Sequence, residues 1–269
     1  MNIQPPKPLP TRLDPSIRYL FTDVDDTLTW EGRLPVETYA ALDSLQRAGI
    51  SVIPVTGACA GWCDCIVRTW PVTAVIGENG AFWMQQDETG IIRRHYRQSE
   101  TKRHVQALQL GHLQQQLIDR YPFARATADQ PYRETDIAFD IGQQWHTTPE
   151  EQQKILLSLQ SAGVHARLSS IHINAWLGNY DKASTARAWL EQEAQRQSTP
   201  IGEHEVAFIG DSGNDAAMFE QFSNTFGVAN IARFLDKLPR PPRFITSANG
   251  GFGFVELADR LLASSLRTD

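Results

Sequence analysis

What most restricts the fold of this 269-residue chain is a rhythm of short apolar runs alternating with segments of helical spacing. Ile17 to Thr22 reads as a strand. VETYAALDSLQRA, Val36 to Ala48, carries apolar residues at helical spacing, and Gly49 stands where a helix would stop. ISVIPVTG follows, then a helix from about Ala60 to Thr69, then VTAVIG ending at Gly77. Connections this short between strand and helix imply a parallel sheet joined by right-handed crossovers. The rhythm returns late in the chain with a helix from Lys182 to Arg196, the strand VAFIG and a helix from Asn214 to Phe222. Short strands near FGVAN and RFIT close the series.

Between these halves the pattern changes. FWMQQ and GIIRRHYR read as paired strands, and Thr101 to Arg120 as a helix. ETDIAFDIG reads as a strand. TTPEEQQKILLSLQSAG is a helix opened by a Thr N-cap with Pro and Glu behind it, and HARLSSIHINAWL gives one or two more strands. The predicted class is therefore α/β: a Rossmann-like parallel-sheet core with an inserted α+β domain. The expected division is a flexible proline-rich arm over 1–16, core over 17–83, insert over 84–178 and core again over 179–269.

Charge and cysteine usage narrow the setting. A net charge of −6 argues against general affinity for nucleic acid or an anionic membrane. The N-terminal segment lacks a signal-peptide core, and no run approaches the roughly 20 apolar residues of a membrane span. The expectation is a soluble, cytoplasmic protein, monomeric or a small homo-oligomer. The chain has three cysteines, Cys59, Cys63 and Cys65, in GACAGWCDC; without a His or fourth Cys at ligand spacing they read as reduced thiols on or beneath one helix.

In open α/β sheets ligands bind beyond the carboxyl ends of the strands, and those ends carry unusual residues here. YLFT ends in Asp23-Val24-Asp25-Asp26-Thr27, and SVIPV ends in Thr56-Gly57. A helix after the insert opens with Asp181-Lys182, and VAFIG runs into Asp211-Ser212-Gly213-Asn214-Asp215. Gathered at one crevice, such oxygen ligands suit Mg²⁺, which keeps waters and bridges to a phosphate. The amides of Val24, Asp25 and Gly57 can surround a phosphoryl group. Lys182 in a first helical turn opposes the macrodipole, a placement that makes sense if its charge holds phosphate beside a carboxylate.

DVDDT, VTG, DKA and GDSGND, in that order, resemble the four motifs of the haloacid dehalogenase (HAD) superfamily of phosphohydrolases. The long insert before the third motif resembles the cap of the type IIB members, such as Cof-like sugar phosphatases, sucrose-phosphate phosphatase and mannosyl-phosphoglycerate phosphatase. The resemblance implies Asp23 as a nucleophile that forms an aspartyl-phosphate, and Asp25 as the acid that protonates the leaving group and then activates water. It further implies phosphate binding by Thr56, Gly57, Lys182 and Asn214, with Thr27 orienting the loop. Mg²⁺ would lie on Asp23, the Asp25 carbonyl and Asp211, with Asp215 either a further metal ligand or a partner of the ligands. The implied substrate is a small phosphorylated metabolite, a sugar phosphate in particular. A phosphosugar mutase, or a phosphoryl-accepting or binding module without catalysis, is the alternative.

Two positions depart from the family pattern: Asp26 stands where glycine is usual, and Ala58 follows Gly57 where arginine is common. Asn79, in GENGA, is a candidate to face the substrate, or else part of an Asn-Gly turn. Arg93, His95 and Arg97 share one strand face and are candidates to read a second anionic group, or a solvated face. Trp145 and Trp176 would stack on a sugar or fill the cap–core interface; His172 and Asn174 alternate near the end of the insert without an assigned role.

Overall fold

The apolar runs are buried on both faces, as strands of a parallel sheet covered by two helical layers must be. The computed structural model describes residues 5–169 and 171–265. Residues 1–4 of the expected arm, Ser170 within HARLSSIHINAWL, and residues 266–269 lie outside it. The elements begin with β1 (Lys7–Pro8), β2 (Tyr19–Thr22), α1 (Val36–Arg47), β3 (Ser51–Pro54), α2 (Ala60–Thr69) and β4 (Ala74–Gly77). A hairpin of β5 (Phe82–Gln86) and β6 (Ile92–Tyr96) follows. Next come α3 (Glu100–Arg120), β7 (Asp136–Asp140), α4 (Pro149–Ser161), β8 (His165–Leu168) and β9 (His172–Trp176). The chain continues with α5 (Lys182–Gln197), β10 (Val206–Gly210), α6 (Ala216–Gln221), β11 (Asn224–Gly227), β12 (Phe244–Ile245) and α7 (Gly250–Ser265).

The core sheet has the order β1-β12-β11-β10-β2-β3, and every pairing in it is parallel. Alternation along the strands feeds two cores. Leu20, Val52, Ala207 and Ile209 face α1, α2 and α7, through Leu42, Leu45, Ile66, Val67, Phe254 and Leu257. Tyr19, Phe21, Ile53 and Phe208 face α5 and α6, through Ala186, Trp189, Met218 and Phe219. The strand order reverses direction between β2 and β10, so the crevice expected for a ligand opens beyond those two strands.

The expected loose arm is docked instead. Lys7 N–H donates to Arg243 and Leu9 N–H to Ile245, each at 3.0 Å, so β1 is the sheet's outer strand. Pro8 lies between those two donors, with its missing N–H on the unpaired edge, where proline costs the ladder nothing. Leu9 and Leu13 pack against the first core.

The expected start of the insert at residue 84 falls inside β5, whose Phe82 and Met84 belong to the first core and Trp83 to the second. β5 and β6 extend β4 antiparallel, and a bridge from Val55 to Ile76 ties that small sheet to β3. The cap's own core begins later. Leu110, Leu117, Ile137, Phe139, Ile155, Leu159, Ile173 and Ala175 form one cluster between the antiparallel sheet β7-β9-β8 and helices α3 and α4. Period-two alternation then turns Asp136, His172, Asn174 and Trp176 to the opposite face, toward the parallel-sheet core. Thr148 caps α4 as expected, accepting from Glu151 N–H while the Glu151 carboxylate accepts from Thr148 N–H.

Candidate active site

β2 delivers its carboxylate through the ladder: Asp23 N–H donates to Ile209 O at 3.0 Å, so Asp23 continues the strand one residue past Thr22. The chain then turns sharply, with the N–H groups of Thr27, Leu28 and Thr29 converging on Val24 O at 3.3, 2.9 and 3.0 Å. Asp26 sits in this turn at φ 57°, the left-handed region that glycine enters freely and aspartate tolerates. Its carbonyl accepts from Asn230 Nδ2 at 3.0 Å, and its carboxylate lies 3.7 Å from Arg233, which has a half-exposed side chain. The unusual aspartate therefore faces a cation rather than Asp23.

β10 brings up the opposing carboxylates. Asp215 Oδ2 accepts from Asp211 N–H at 3.1 Å and Ser212 N–H at 3.4 Å, which folds the 211–215 turn back on itself. Lys182 is the first residue of α5, behind the N-cap Asp181, which accepts from Ser184 N–H at 2.7 Å. Gly80, at φ 104°, lets the preceding turn press on that helix start: a Cβ there would meet Asp181 O at 2.2 Å. Lys182 Nζ thus reaches Asp23 Oδ1 at 2.7 Å and Asp215 Oδ1 at 2.8 Å, all three side chains being buried.

Asp23, Asp211 and Asp215 each place an oxygen within 4.8 Å of the others. One ammonium does not balance them. Burial, then repulsion from Asp215, lifts the Asp23 carboxyl to about 7 against the pull of Lys182. Burial and the charge of Asp26 lift Asp25 to about 6, and burial with Asp23 and Asp215 carries Asp211 well above the carboxylate range. Burial alone would lower Lys182, yet Asp215 and Asp23 together hold it above its ordinary value. Among the described residues, Asp23 Oδ2, Asp211 Oδ1 and the Asp25 carboxylate have no hydrogen-bond partner.

The cleft beyond these carboxylates is lined by Asp23, Asp25, Gly57, Asp211, Ser212 and Asn214 from the core, and by Ser169, His172 and Asn174 from the cap. Its volume is about 10 Å³, about one water's worth. Thr56 is buried beside it; its Oγ1 accepts Ala58 N–H at 3.0 Å. Val24 is buried in the turn, and Asn214 Oδ1 accepts from Ser212 Oγ at 2.7 Å. Thr27 is buried with its hydroxyl unpartnered. Asn79, at φ 58°, is also buried with its Nδ2 unpartnered, and its amide lies 3.2 Å from where a Cβ on Gly57 would stand.

Arg93, His95 and Arg97 are not among the cleft residues. Arg93 pairs with Asp87 across its own hairpin at 2.7 Å, His95 stacks on Trp83 at 4.9 Å, and Arg97 is exposed. Trp176 is buried and donates to Tyr180 O, while Trp145 lies under Arg125 away from the cleft. Cys59, Cys63 and Cys65 are unpaired thiols; burial pushes Cys59 up to about 11 and Cys63 well above its usual value.

The sequence reading missed a buried cluster from the cap. Arg133, with no exposed side-chain surface, donates to Asp129 and Asp136, and its Nη1 reaches Gly57 O at 3.0 Å. Ala58, not an arginine, follows Gly57, and the guanidinium at this loop comes from the cap. Glu78 was missed as well: its carboxylate accepts N–H bonds from Ala60, Glu134 and Thr135, joining core to cap. Burial and Asp136 raise it to about 7. In sequence Glu134 to Asp136 read only as the start of the strand ETDIAFDIG, and nothing local marks Arg133; the contacts to Gly57 and Glu78 tie both into the core. Asn230, which donates to Asp211 Oδ2 at 3.2 Å, gave no signal either.

Residues 20–136 match the family model of haloacid dehalogenase-like hydrolases. Nothing matches among curated proteins. Solved structures do. A Thermoplasma acidophilum protein is 19% identical with a TM-score of 0.70, over 91% of this chain and 98% of that one. A haloacid dehalogenase-like hydrolase from B. subtilis is 17% identical with a TM-score of 0.62, over 91% and 100%. The sucrose-phosphatase of Synechocystis, solved with sucrose and phosphate, is 15% identical with a TM-score of 0.60, over 90% and 97%. These likenesses establish a shared fold. No helix among the described residues is long and apolar enough to cross a membrane.

Proposed function

We propose that this chain is a haloacid dehalogenase-like hydrolase with a type IIB cap, and a Mg²⁺-dependent phosphatase of small phosphorylated metabolites; the family model over residues 20–136 and the shared fold support the reading. The observation that carries this reading is Lys182 bridging Asp23 and Asp215 at the sheet's switch point, with Asp211 and Asp25 facing the same small cleft.

The donor set fits a hard divalent cation. Asp23, Asp211 and Asp215 offer oxygens within 4.8 Å, and the lifted carboxyls of Asp23 and Asp211 express negative charge that a single lysine leaves uncompensated. Asp23, Asp211 and the Asp25 carbonyl would hold Mg²⁺. Asp215, with Oδ1 on Lys182 and Oδ2 on two backbone N–H groups, would orient the others. When bound, the ion supplies positive charge against the phosphoryl oxygens.

The chain's own groups supply the rest. Asp23 Oδ2 attacks phosphorus to give an aspartyl-phosphate while Asp25 passes its proton to the leaving oxygen. A carboxyl near 6 suits this proton work at neutral pH, since the same Asp25 must then take a proton from the hydrolytic water. Lys182, the Thr56 hydroxyl and the loop amides of Val24, Asp25 and Gly57 face the charge that develops on phosphorus. Asn214 is a further hydrogen-bonding group at the cleft. Asn79 completes the site from the β4–β5 turn with its unpartnered amide. A sugar phosphate is the preferred class, supported by a like-folded protein solved with sucrose and phosphate.

The test is phosphate release from a panel of phosphorylated metabolites, with and without Mg²⁺, by the parent and by Asp23→Asn. The variant should lose about 10³-fold or more in kcat, as removal of a covalent nucleophile does. Undiminished release by Asp23→Asn refutes the mechanism. Turnover that requires a bisphosphorylated sugar identifies a mutase instead.

A further inference from the structure

Every carbonyl of the Thr56–Ala58 loop is held, but not by the same body. Thr56 O accepts Asn79 N–H at 3.1 Å and Ala58 O accepts Glu78 N–H at 3.2 Å, both from the core's own turn. Gly57 O is held from the cap, by Arg133 Nη1 at 3.0 Å and Asn174 Nδ2 at 3.4 Å. We infer that Arg133 is a positioning residue that, with Asn174, sets the phosphate-binding loop only when the cap is closed; this rests on the phosphatase reading above.

The cap prepares the guanidinium in advance. Asp129 takes Nε and Nη2 at 3.2 and 3.0 Å, and Asp136 takes Nη1 at 3.0 Å. Asp136 also accepts from Asn174 Nδ2 at 3.0 Å, so both donors to Gly57 share one anchor on the cap sheet. Gly57 O is the one core group the guanidinium hydrogen-bonds among the described residues.

Peptide planarity carries the effect onward. The Gly57 carbonyl and the Ala58 N–H lie in one rigid plane and point in opposite directions, so aiming the carbonyl at the cap aims the N–H inward. That N–H is the group Thr56 Oγ1 accepts, at 3.0 Å. Arg133 therefore fixes one peptide, and the peptide fixes the Thr56 hydroxyl, which the phosphatase reading turns toward the phosphoryl group. A cleft of about 10 Å³ is smaller than a metabolite, so on this inference substrate entry parts cap from core and breaks the Gly57 contacts. Closure restores them, which makes the loop's geometry a consequence of a seated cap.

Two measurements on Arg133→Lys test this; lysine keeps the charge between Asp129 and Asp136 but cannot serve both and Gly57. In steady-state kinetics on the best panel substrate, kcat should fall about tenfold to a hundredfold with a smaller change in KM, in line with small misplacements of positioning groups. In a Thr56→Ala background the same substitution should cost less than about twofold, because residues acting through one another are non-additive. Equal losses in both backgrounds, or a parental kcat in Arg133→Lys, overturn the inference. Amide exchange at Ala58 gives a readout independent of catalysis: it should quicken about tenfold in Arg133→Lys, and unchanged exchange overturns the inference even if no substrate is found. Absence of phosphate release by the parent with quickened Ala58 exchange refutes the phosphatase reading alone. Should Arg133→Lys fail to fold, Asn174→Ala leaves the ion cluster whole and must show the same two effects in weaker form.

Discussion

Lys182→Met puts a chain of similar length and no charge between Asp23 and Asp215, and so isolates what the ammonium contributes. Lys182 and both partners are buried, at 2.7 and 2.8 Å, so removal strands carboxylates that water cannot reach. Breaking a buried pair on one side costs about 3–5 kcal/mol. At about 2–4 °C per kcal/mol for a protein of this size, the melting temperature should fall by roughly 6–20 °C at pH 8. The sign of the pH dependence follows from Asp23. Its folded carboxyl already lies near 7, above its unfolded value, and losing Lys182 lifts it further. A carboxyl raised on folding contributes stability that is full below the unfolded value of about 3.9 and is lost as pH rises through the folded one. The deficit of the variant should therefore be small at pH 5.5 and large at pH 8. Lys182 itself stays protonated across that window and adds no slope of its own. Thermal denaturation at both pH values, in EDTA and in excess Mg²⁺, measures the effect, and kcat should drop at least about 10²-fold in parallel. Equal deficits at the two pH values, or a kcat within about tenfold of the parent, would refute the reasoning.

Asp26→Gly should leave kcat within about twofold and stability within about 1 kcal/mol, since glycine suits φ 57° and a half-exposed pair at 3.7 Å contributes little. Phosphate-release rates and melting temperatures check it. Glu78→Gln turns one acceptor into a donor facing the N–H groups of Ala60, Glu134 and Thr135, and should cost about 1–3 kcal/mol in chemical denaturation. Mg²⁺ at about a hundred times its Kd should stabilise the EDTA-treated protein by about 2.7 kcal/mol. Asp211→Asn, which removes a charged oxygen from the 4.8 Å cluster, should lose most of that shift in a melting titration.

The core was legible because its information is local. An apolar run that ends in Asp23 or Asp211 places that carboxylate at a strand's end, and parallel strands bring their ends together without further instruction. α2 was read from about Ala60 to Thr69, the span it occupies, and Thr148 to Glu151 spells a helix start in four residues. What was illegible depended on partners far along the chain. PPKPLP looks like a loose arm until Arg243 and Ile245 offer carbonyls to Lys7 and Leu9. α7 escaped notice because glycines at 250, 251 and 253 suggest a loop, and only packing of Phe254 and Leu257 beneath α1 makes a helix there worth forming.

The cap poses the same difficulty in sharper form. Alternation put Arg93, His95 and Arg97 on one strand face, of which β6 holds the first two, yet it said nothing of which body that face meets. Their hairpin packs with the core, and the cleft is reached instead by β9, whose alternation is no different. Asp136, His172 and Asn174 look like an ordinary polar face in sequence. They become part of a site only because Gly57, over 70 positions from the nearest of them, leaves a carbonyl at the surface they cover. A burial pattern identifies a side chain's face; only the docking of one body on another identifies its ligand. Residues that recognise a leaving group should accordingly be sought where two bodies meet, with charge runs such as RETD treated as candidates for burial as much as for solvent.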